Sequence, residues 1–221
     1  MASFPRYTSG SVGLDALLSG GYRAGTLTEV FGRSNTGKSQ LGMQAALCAA
    51  LKGARVLYID SEGGFRPERL EQIAGARGWD FEGALERITF MRSDSAPEQM
   101  ETVRGMNRRR ATAECKLVVV DTLTRNFSVE LPGKSNLASR QGALDIHLSE
   151  MARDAYIHSR AYVLTNRVTF GTAGDVGIGG GTVEQLVHMT VKLERQGQAV
   201  SATSFPSCER AALQIGAAGV I

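Results

Sequence analysis

The chain has 221 residues, 43% of them hydrophobic, with 26 glycines, five prolines and a formal net charge of +3. That length builds the core of one α/β domain and leaves two full domains cramped. So small a charge excludes a wholesale polyanion binder, so any nucleic-acid site has to come from local clusters of arginine and lysine.

The N-terminus, Met-Ala-Ser-Phe-Pro-Arg, lacks an apolar signal core. No apolar run approaches the roughly 20 residues a spanning helix needs, so a cytoplasmic protein with no membrane partner is expected. Residues 26–31, 55–60, 88–91, 116–121 and 161–165 are short β-branched and apolar runs that read as strands, with helical patterns between them. Such nearly continuous apolar runs belong to parallel sheets covered by helices on both faces. Between residues 137 and about 160, Leu144, Leu148, Met151 and Ala155 recur at spacings of four, three and four. This predicts a helix on the sheet with Asn136 as its N-cap. A glycine-rich stretch, residues 171–181, precedes two runs, 189–194 and 199–204, around the turn Gln196-Gly197-Gln198. They read as a terminal antiparallel hairpin. Cys48, Cys115 and Cys208 fit neither a disulfide framework nor zinc-ligand spacing and are expected as reduced thiols. With no repeat, low-complexity tail or interdomain linker, the expected fold is α/β: a single domain over 1–221, its mostly parallel central sheet flanked by helices.

Gly32-Arg33-Ser34-Asn35-Thr36-Gly37-Lys38-Ser39 fits the phosphate-loop pattern G-x-x-x-x-G-K-[ST] and lies between a predicted strand and a predicted helix. The glycines let the backbone curl so that successive N–H groups face phosphate oxygens, and the helix N-terminus adds its positive end. Lys38 would reach the outer phosphates of ATP, the Ser39 hydroxyl would ligate Mg²⁺, and Gln40 continues the binding segment. The strand of residues 117–121 ends in Asp121, placed to hold the metal opposite Ser39, although many such aspartates merely cap a turn. Glu62 follows the strand of residues 56–60, which delivers it to the same edge to orient or deprotonate the attacking water. By position alone it could equally be a solvated loop carboxylate. Asp60 is the competitor and is expected to support the loop. Arg104 and Arg108-Arg109-Arg110 form a basic run on a predicted helix, either a solvated face or a DNA or partner surface.

The run Tyr58-Ile59-Asp60-Ser61-Glu62-Gly63-Gly64-Phe65-Arg66-Pro67-Glu68-Arg69-Leu70 resembles the signature after the second strand in RadA, RadB and the eukaryotic strand-exchange recombinases. Residues 9–21 are similar to that family's entry to its ATPase core. Residues 117–122, Ala138-Ser139-Arg140-Gln141 and Val163-Leu164-Thr165-Asn166 follow in matching order, so the likeness covers nearly the whole chain. Phe4-Pro5-Arg6-Tyr7 does not reproduce the family's interdomain linker, and with Glu62-Gly63-Gly64-Phe65 and Arg77-Gly78 the chain looks most like the RadB paralogues, the ATPase core without an N-terminal helical domain.

The resemblance implies a RecA-like P-loop NTPase in which Glu62 activates water, Lys38 and Ser39 serve the phosphate loop, Asp121 is the second acidic group and Arg69 lies against adenine. It also implies that the loops after Thr122 and after Asn166 line a DNA channel. Arg125, Lys134, Arg140 and Arg167 would there follow a single-stranded DNA backbone without reading sequence. Two departures stand out. Arg167 occupies the place of a glutamine that senses the γ-phosphate, and the second loop, residues 168–181, has no basic residue. The expected function is slow, DNA-stimulated ATP hydrolysis in an accessory protein of homologous recombination and repair that assists a main RadA-type recombinase; self-association is left open, and long filaments are not expected. The alternative is a nucleotide-gated protein-interaction module with negligible turnover and no direct DNA role.

Overall fold

The structure is a computed structural model describing residues 4–171 and 174–221. Its first half comprises β1 (Arg6–Tyr7), α1 (Val12–Leu17), β2 (Tyr22–Arg23), β3 (Thr26–Gly32), α2 (Lys38–Leu51), β4 (Arg55–Asp60), α3 (Pro67–Arg77), α4 (Phe81–Leu85), β5 (Ile88–Arg92) and α5 (Ala96–Gly105). Then come α6 (Arg110–Ala113), β6 (Cys115–Asp121), α7 (Arg125–Glu130), α8 (Leu137–His158), β7 (Ala161–Asn166), β8 (Val168–Gly171), β9 (Gly174–Gly177) and α9 (Gly181–Leu186). The chain closes with β10 (Met189–Gln196), β11 (Ala199–Phe205), β12 (Arg210–Leu213), β13 (Ile215–Gly216) and β14 (Gly219–Val220).

Eight strands form one sheet in the order β12-β11-β10-β3-β7-β6-β4-β5. From β10 to β5 every neighbouring pair is parallel, while β11 and β12 add an antiparallel edge. The continuous apolar runs have the expected cause, burial on both faces. Within β6, Leu117 and Val119 join the core under α2, whereas Val118 and Val120 join the core under α8. Leu144, Leu148, Met151 and Ala155 of α8 all point into that second core, so the spacing of four, three and four is the buried stripe of the helix. Burying one such leucine contributes roughly 1.5–3 kcal/mol.

Two expectations hold only in part, the cap of α8 and the basic helix. Asn136 occupies the N-cap position of α8 but makes no side-chain cap bond; its amide donates to the Pro132 carbonyl at 2.9 Å. With φ −96° and ψ 7° its backbone is not extended, so the side chain is not aimed at the first-turn amides. The basic run is not one helix: α5 stops at Gly105, a 3₁₀ turn covers Met106–Arg108, and α6 begins at Arg110. The Asn107 side chain holds the break, donating to Asp154 at 3.1 Å and accepting from the buried Arg160 at 2.8 Å. Arg104 is not free either, since its guanidinium meets Glu150 at 2.8 Å. The hairpin β10–β11 forms in the register Thr190↔Phe205 to Gln196↔Ala199, and β12 extends it to three strands.

All three cysteines are free thiols, and burial pushes Cys48 and Cys115 up to about 11. Among the described residues no helix is long and apolar enough to cross a membrane.

Candidate functional site

Because the central strands are parallel, β3, β4, β6 and β7 deliver their C-terminal ends to one edge. Phe31 pairs with Asn166 there, and Asp60 with Asp121. The phosphate loop leaves β3 at this edge. Gly37 lies at φ +97°, a left-handed conformation that disfavours side chains, and an added Cβ would come 2.6 Å from Ile215 Cδ1. At Gly32 a Cβ would lie 2.5 Å from the Leu193 carbonyl oxygen, so the strand end has no room for one. Thr36 Oγ1 donates to the Arg33 carbonyl at 2.8 Å and tightens the turn. α2 starts at Lys38 with no side-chain cap, which leaves its first-turn amides for an anion.

Lys38 Nζ donates to the carbonyls of Gly32 and Arg33, both at 2.8 Å, and so spans the mouth of the loop. Burial holds its pKa below the usual lysine value; the carboxylates of Asp121 and Glu62 act upward and Arg167 downward. Ser39 Oγ donates to Asp121 Oδ1 at 3.1 Å. Asp121, only 1% exposed, also accepts from Tyr58 Oη at 2.8 Å and from Thr165 Oγ1. Burial raises its pKa, and the hydrogen bonds from Thr165, Tyr58 and Ser39 oppose that rise. A Cβ at Gly64 would sit 3.7 Å from Asp121 Oδ2 and 3.8 Å from Ser39 Oγ, so bare backbone roofs this pair. One hydroxyl and one carboxylate suit Mg²⁺, which takes its other ligands from phosphate and water. Among the described residues there is no cluster of three or more histidine, cysteine or carboxylate groups that could cage a metal unaided.

Asp60 supports the next loop, as expected. Its Oδ1 accepts from the amides of Glu62, Gly63 and Gly64 at 2.9, 2.8 and 3.2 Å, and its Oδ2 from Phe65 at 3.0 Å. These bonds turn the chain so that the Glu62 carboxylate faces Arg167, with Nε 2.7 Å from Oε1. The same oxygen has no aligned hydrogen-bond donor, so the contact is coulombic. The Gln40 amide nitrogen is buried without a hydrogen-bond partner. Arg69 reaches the C-terminal hairpin, donating to the carbonyls of Gly216 at 2.5 Å and Ala217 at 3.3 Å, while Ile215 of that hairpin lies against Gly37. Ile215 gave no sequence signal, because only the return of the C-terminus brings it to the loop.

The four cations expected on DNA loops do not form one free surface. Arg125, on α7, donates to the Ser61 carbonyl at 2.9 Å, and Arg140 donates to the Leu131 carbonyl. Arg167 is taken by Glu62, and Lys134 stands exposed in the turn before α8. The second loop is partly a two-stranded ribbon, β8–β9, with Val168 opposite Gly177. Asn166, Glu29 and Asp175 anchor it. Asn166, fully buried, donates to Glu29 Oε1 and to the Ile178 carbonyl, both at 2.7 Å, and accepts from Thr124 Oγ1 at 2.7 Å. It therefore ties the ribbon to the first loop. Asp175 forms a two-pronged pair with Arg33 of the phosphate loop.

Glu29 is 2% exposed, and burial raises its pKa to about 7; the Asn166 bond opposes the rise and the Glu184 charge adds to it. The raised value means that the folded state holds this proton more tightly than the unfolded state, so the contribution of Glu29 to stability is greatest below pH 4.5 and is lost as pH rises through about 7. Glu29→Gln removes that loss. Thermal unfolding at pH 8 should find the variant more stable by roughly 3 kcal/mol, with the difference vanishing near pH 4.

Residues 3–187 match the family model described as Rad51. The chain is 37% identical over 174 residues to the DNA repair and recombination protein RadA of Ignicoccus hospitalis, an alignment covering 74% of this chain and 53% of that relative. The chain thus spans about half the length of the curated relative it matches.

Proposed function

The chain belongs to the Rad51 family, and from that premise we propose that it is a RadB-like, Mg²⁺-dependent ATPase of slow turnover that binds single-stranded DNA and assists a main recombinase in recombination and repair. The observation that carries the reading is the meeting of Lys38, Ser39, Asp121 and Glu62 at the end of one phosphate loop. In it, Lys38 neutralises the outer phosphates, Ser39 and Asp121 hold the metal, and Glu62 takes a proton from the attacking water. Arg69 and Ile215 flank the base. Residues 1–221 act as one ATPase core.

DNA is assigned to the edge where α7, the start of α8 and the ribbon lie. Its cations are few, and Arg125, Arg140 and Arg167 are engaged by protein groups, so affinity should be modest. A filter-binding titration of single-stranded DNA should give log K falling against log salt with a slope of about −1 to −3, for two to four phosphates neutralised. Salt-insensitive retention, or none with or without ATP, counts against the DNA role.

The Glu62–Arg167 pair favours a second reading, a nucleotide-gated interaction module, since a carboxylate held by arginine is not free to hold water. Phosphate release decides between them: equal, near-zero rates for wild type and Glu62→Gln support the module.

A further inference from the structure

We infer that the edge of the sheet opposite the phosphate loop is a second nucleic-acid surface, a rigid array of arginines that takes the phosphate backbone of duplex DNA without nucleotide. It does not rest on the ATP reading, because no group of the phosphate loop belongs to it. The parallel strands that send their C-terminal ends to the nucleotide send their N-terminal ends to this edge. A basic residue stands at the entry of four neighbouring strands: Arg23 just ahead of β3, Arg160 ahead of β7, Lys116 in β6 and Arg55 at the start of β4. The triplet Arg108-Arg109-Arg110 leads towards β6, and Arg153 of α8 lines one groove with Arg108.

Two features separate this edge from an ordinary solvated face. The first is that its charges are unpaired. Arg23, Arg108, Arg109, Arg110, Lys116 and Arg153 are all exposed, and among the described residues none is paired with a carboxylate. Nearby acids are already engaged, Glu114 by Arg55, Glu150 by Arg104 and Asp154 by Arg160. The second is that the array is held in place. Arg160, fully buried, donates to Asp154 at 2.7 Å, to Asn107 Oδ1 at 2.8 Å and to the carbonyls of Ala113 at 2.6 Å and Cys115 at 2.9 Å. It thereby binds the segment that carries the triplet to the helix that carries Arg153. Cations near a helix C-terminus offset its dipole, and Lys116 does so by reaching the His158 carbonyl at 3.5 Å. Arg109 leans on Met91 Sδ at 3.7 Å, whereas the side chains of Arg108, Arg110 and Arg153 make no hydrogen bond among the described residues.

Guanidinium forks match phosphate oxygens. Cations on a fixed frame suit a duplex, whose phosphates are themselves regularly spaced. A single strand calls for rings on which bases stack, and the exposed ring of Tyr156 packs on Phe4, with centroids 6.0 Å apart. The 22 residues of α8 run about 33 Å from the loop edge at Leu137 to this edge at His158, so the two nucleic acids would lie at opposite ends of one molecule.

Fluorescence anisotropy without nucleotide, over a range of salt, with a short DNA duplex and a single strand of equal length, tests the assignment. The wild type should bind duplex with log K falling against log salt at a slope of about −4 to −5, for about five phosphates neutralised. The triple variant Arg108→Gln, Arg110→Gln, Arg153→Gln should weaken duplex binding about a hundredfold and flatten that slope by about 3, while its single-strand binding and thermal melting stay those of the wild type. Lys134→Ala, at the other edge, should weaken single-strand binding alone. Should the triple variant melt early, Arg153→Gln by itself should still flatten the duplex slope by about 1. Absent duplex binding by the wild type, or an unchanged slope in folded variants, makes this a solvated face. Equal losses for duplex and single strand put both on one surface, and displacement of duplex by polyglutamate as readily as by unlabelled duplex marks an acidic protein partner. Each of these results overturns the proposal and leaves the ATP reading standing.

Discussion

Lys38→Ala is expected to weaken ATP binding about a hundredfold, the loss of a charged group bonded to two phosphates in a partly desolvated site. The ammonium at present satisfies itself on the carbonyls of Gly32 and Arg33, so it is poised across the loop rather than dispersed in solvent. Burial already works against its charge, and Asp121 and Glu62 work for it. A triphosphate adds to the favourable side. Removing the side chain leaves the loop backbone in place, because Gly32, Gly37 and the Thr36 bond to the Arg33 carbonyl set its curvature. Calorimetry with ATP and Mg²⁺ reads the loss, and circular dichroism checks that the fold persists. Undiminished affinity would sink the phosphate-loop assignment.

Glu62→Gln should lower phosphate release by roughly 10²- to 10⁴-fold, the usual contribution of a general base, without loss of ATP affinity. Glutamine keeps the size of the side chain and loses the proton-accepting charge. The loop should survive, because Asp60 and not Glu62 organises it through four backbone amides. Single-turnover phosphate release with and without single-stranded DNA separates a chemical defect from a binding one. A variant as fast as the wild type would remove Glu62 from the chemistry and return the role to another group at the same edge.

Most of the sheet was legible before any coordinates. Runs such as Leu117 to Val120 are apolar on both faces because helices cover both, and burial of that kind leaves a one-dimensional trace. The phosphate loop was legible for a similar reason. Its glycines, lysine and serine act as neighbours in the chain, so their spacing is their geometry. The ribbon β8–β9 was missed because Gly171, Gly174, Asp175 and Gly177 offer little β-propensity. β12 escaped because Arg-Ala-Ala-Leu reads as helix former until a paired edge claims it.

Asp60 and Glu62 show where local reading ends. That one carboxylate would build the loop could be argued from position; that the other would meet Arg167, 105 residues away, could not. The sequence by itself determined the class of fold, the phosphate loop and the edge of the sheet to which Asp121 and Glu62 belong, because parallel strands place all their C-termini on one side. Only the tertiary structure decided the partners: Ile215 against Gly37, Asp175 on Arg33, Asn166 between two loops, and Arg167 on Glu62. Those contacts join segments distant in the chain, and their energies depend on burial and direction, which exist only once the sheet has closed.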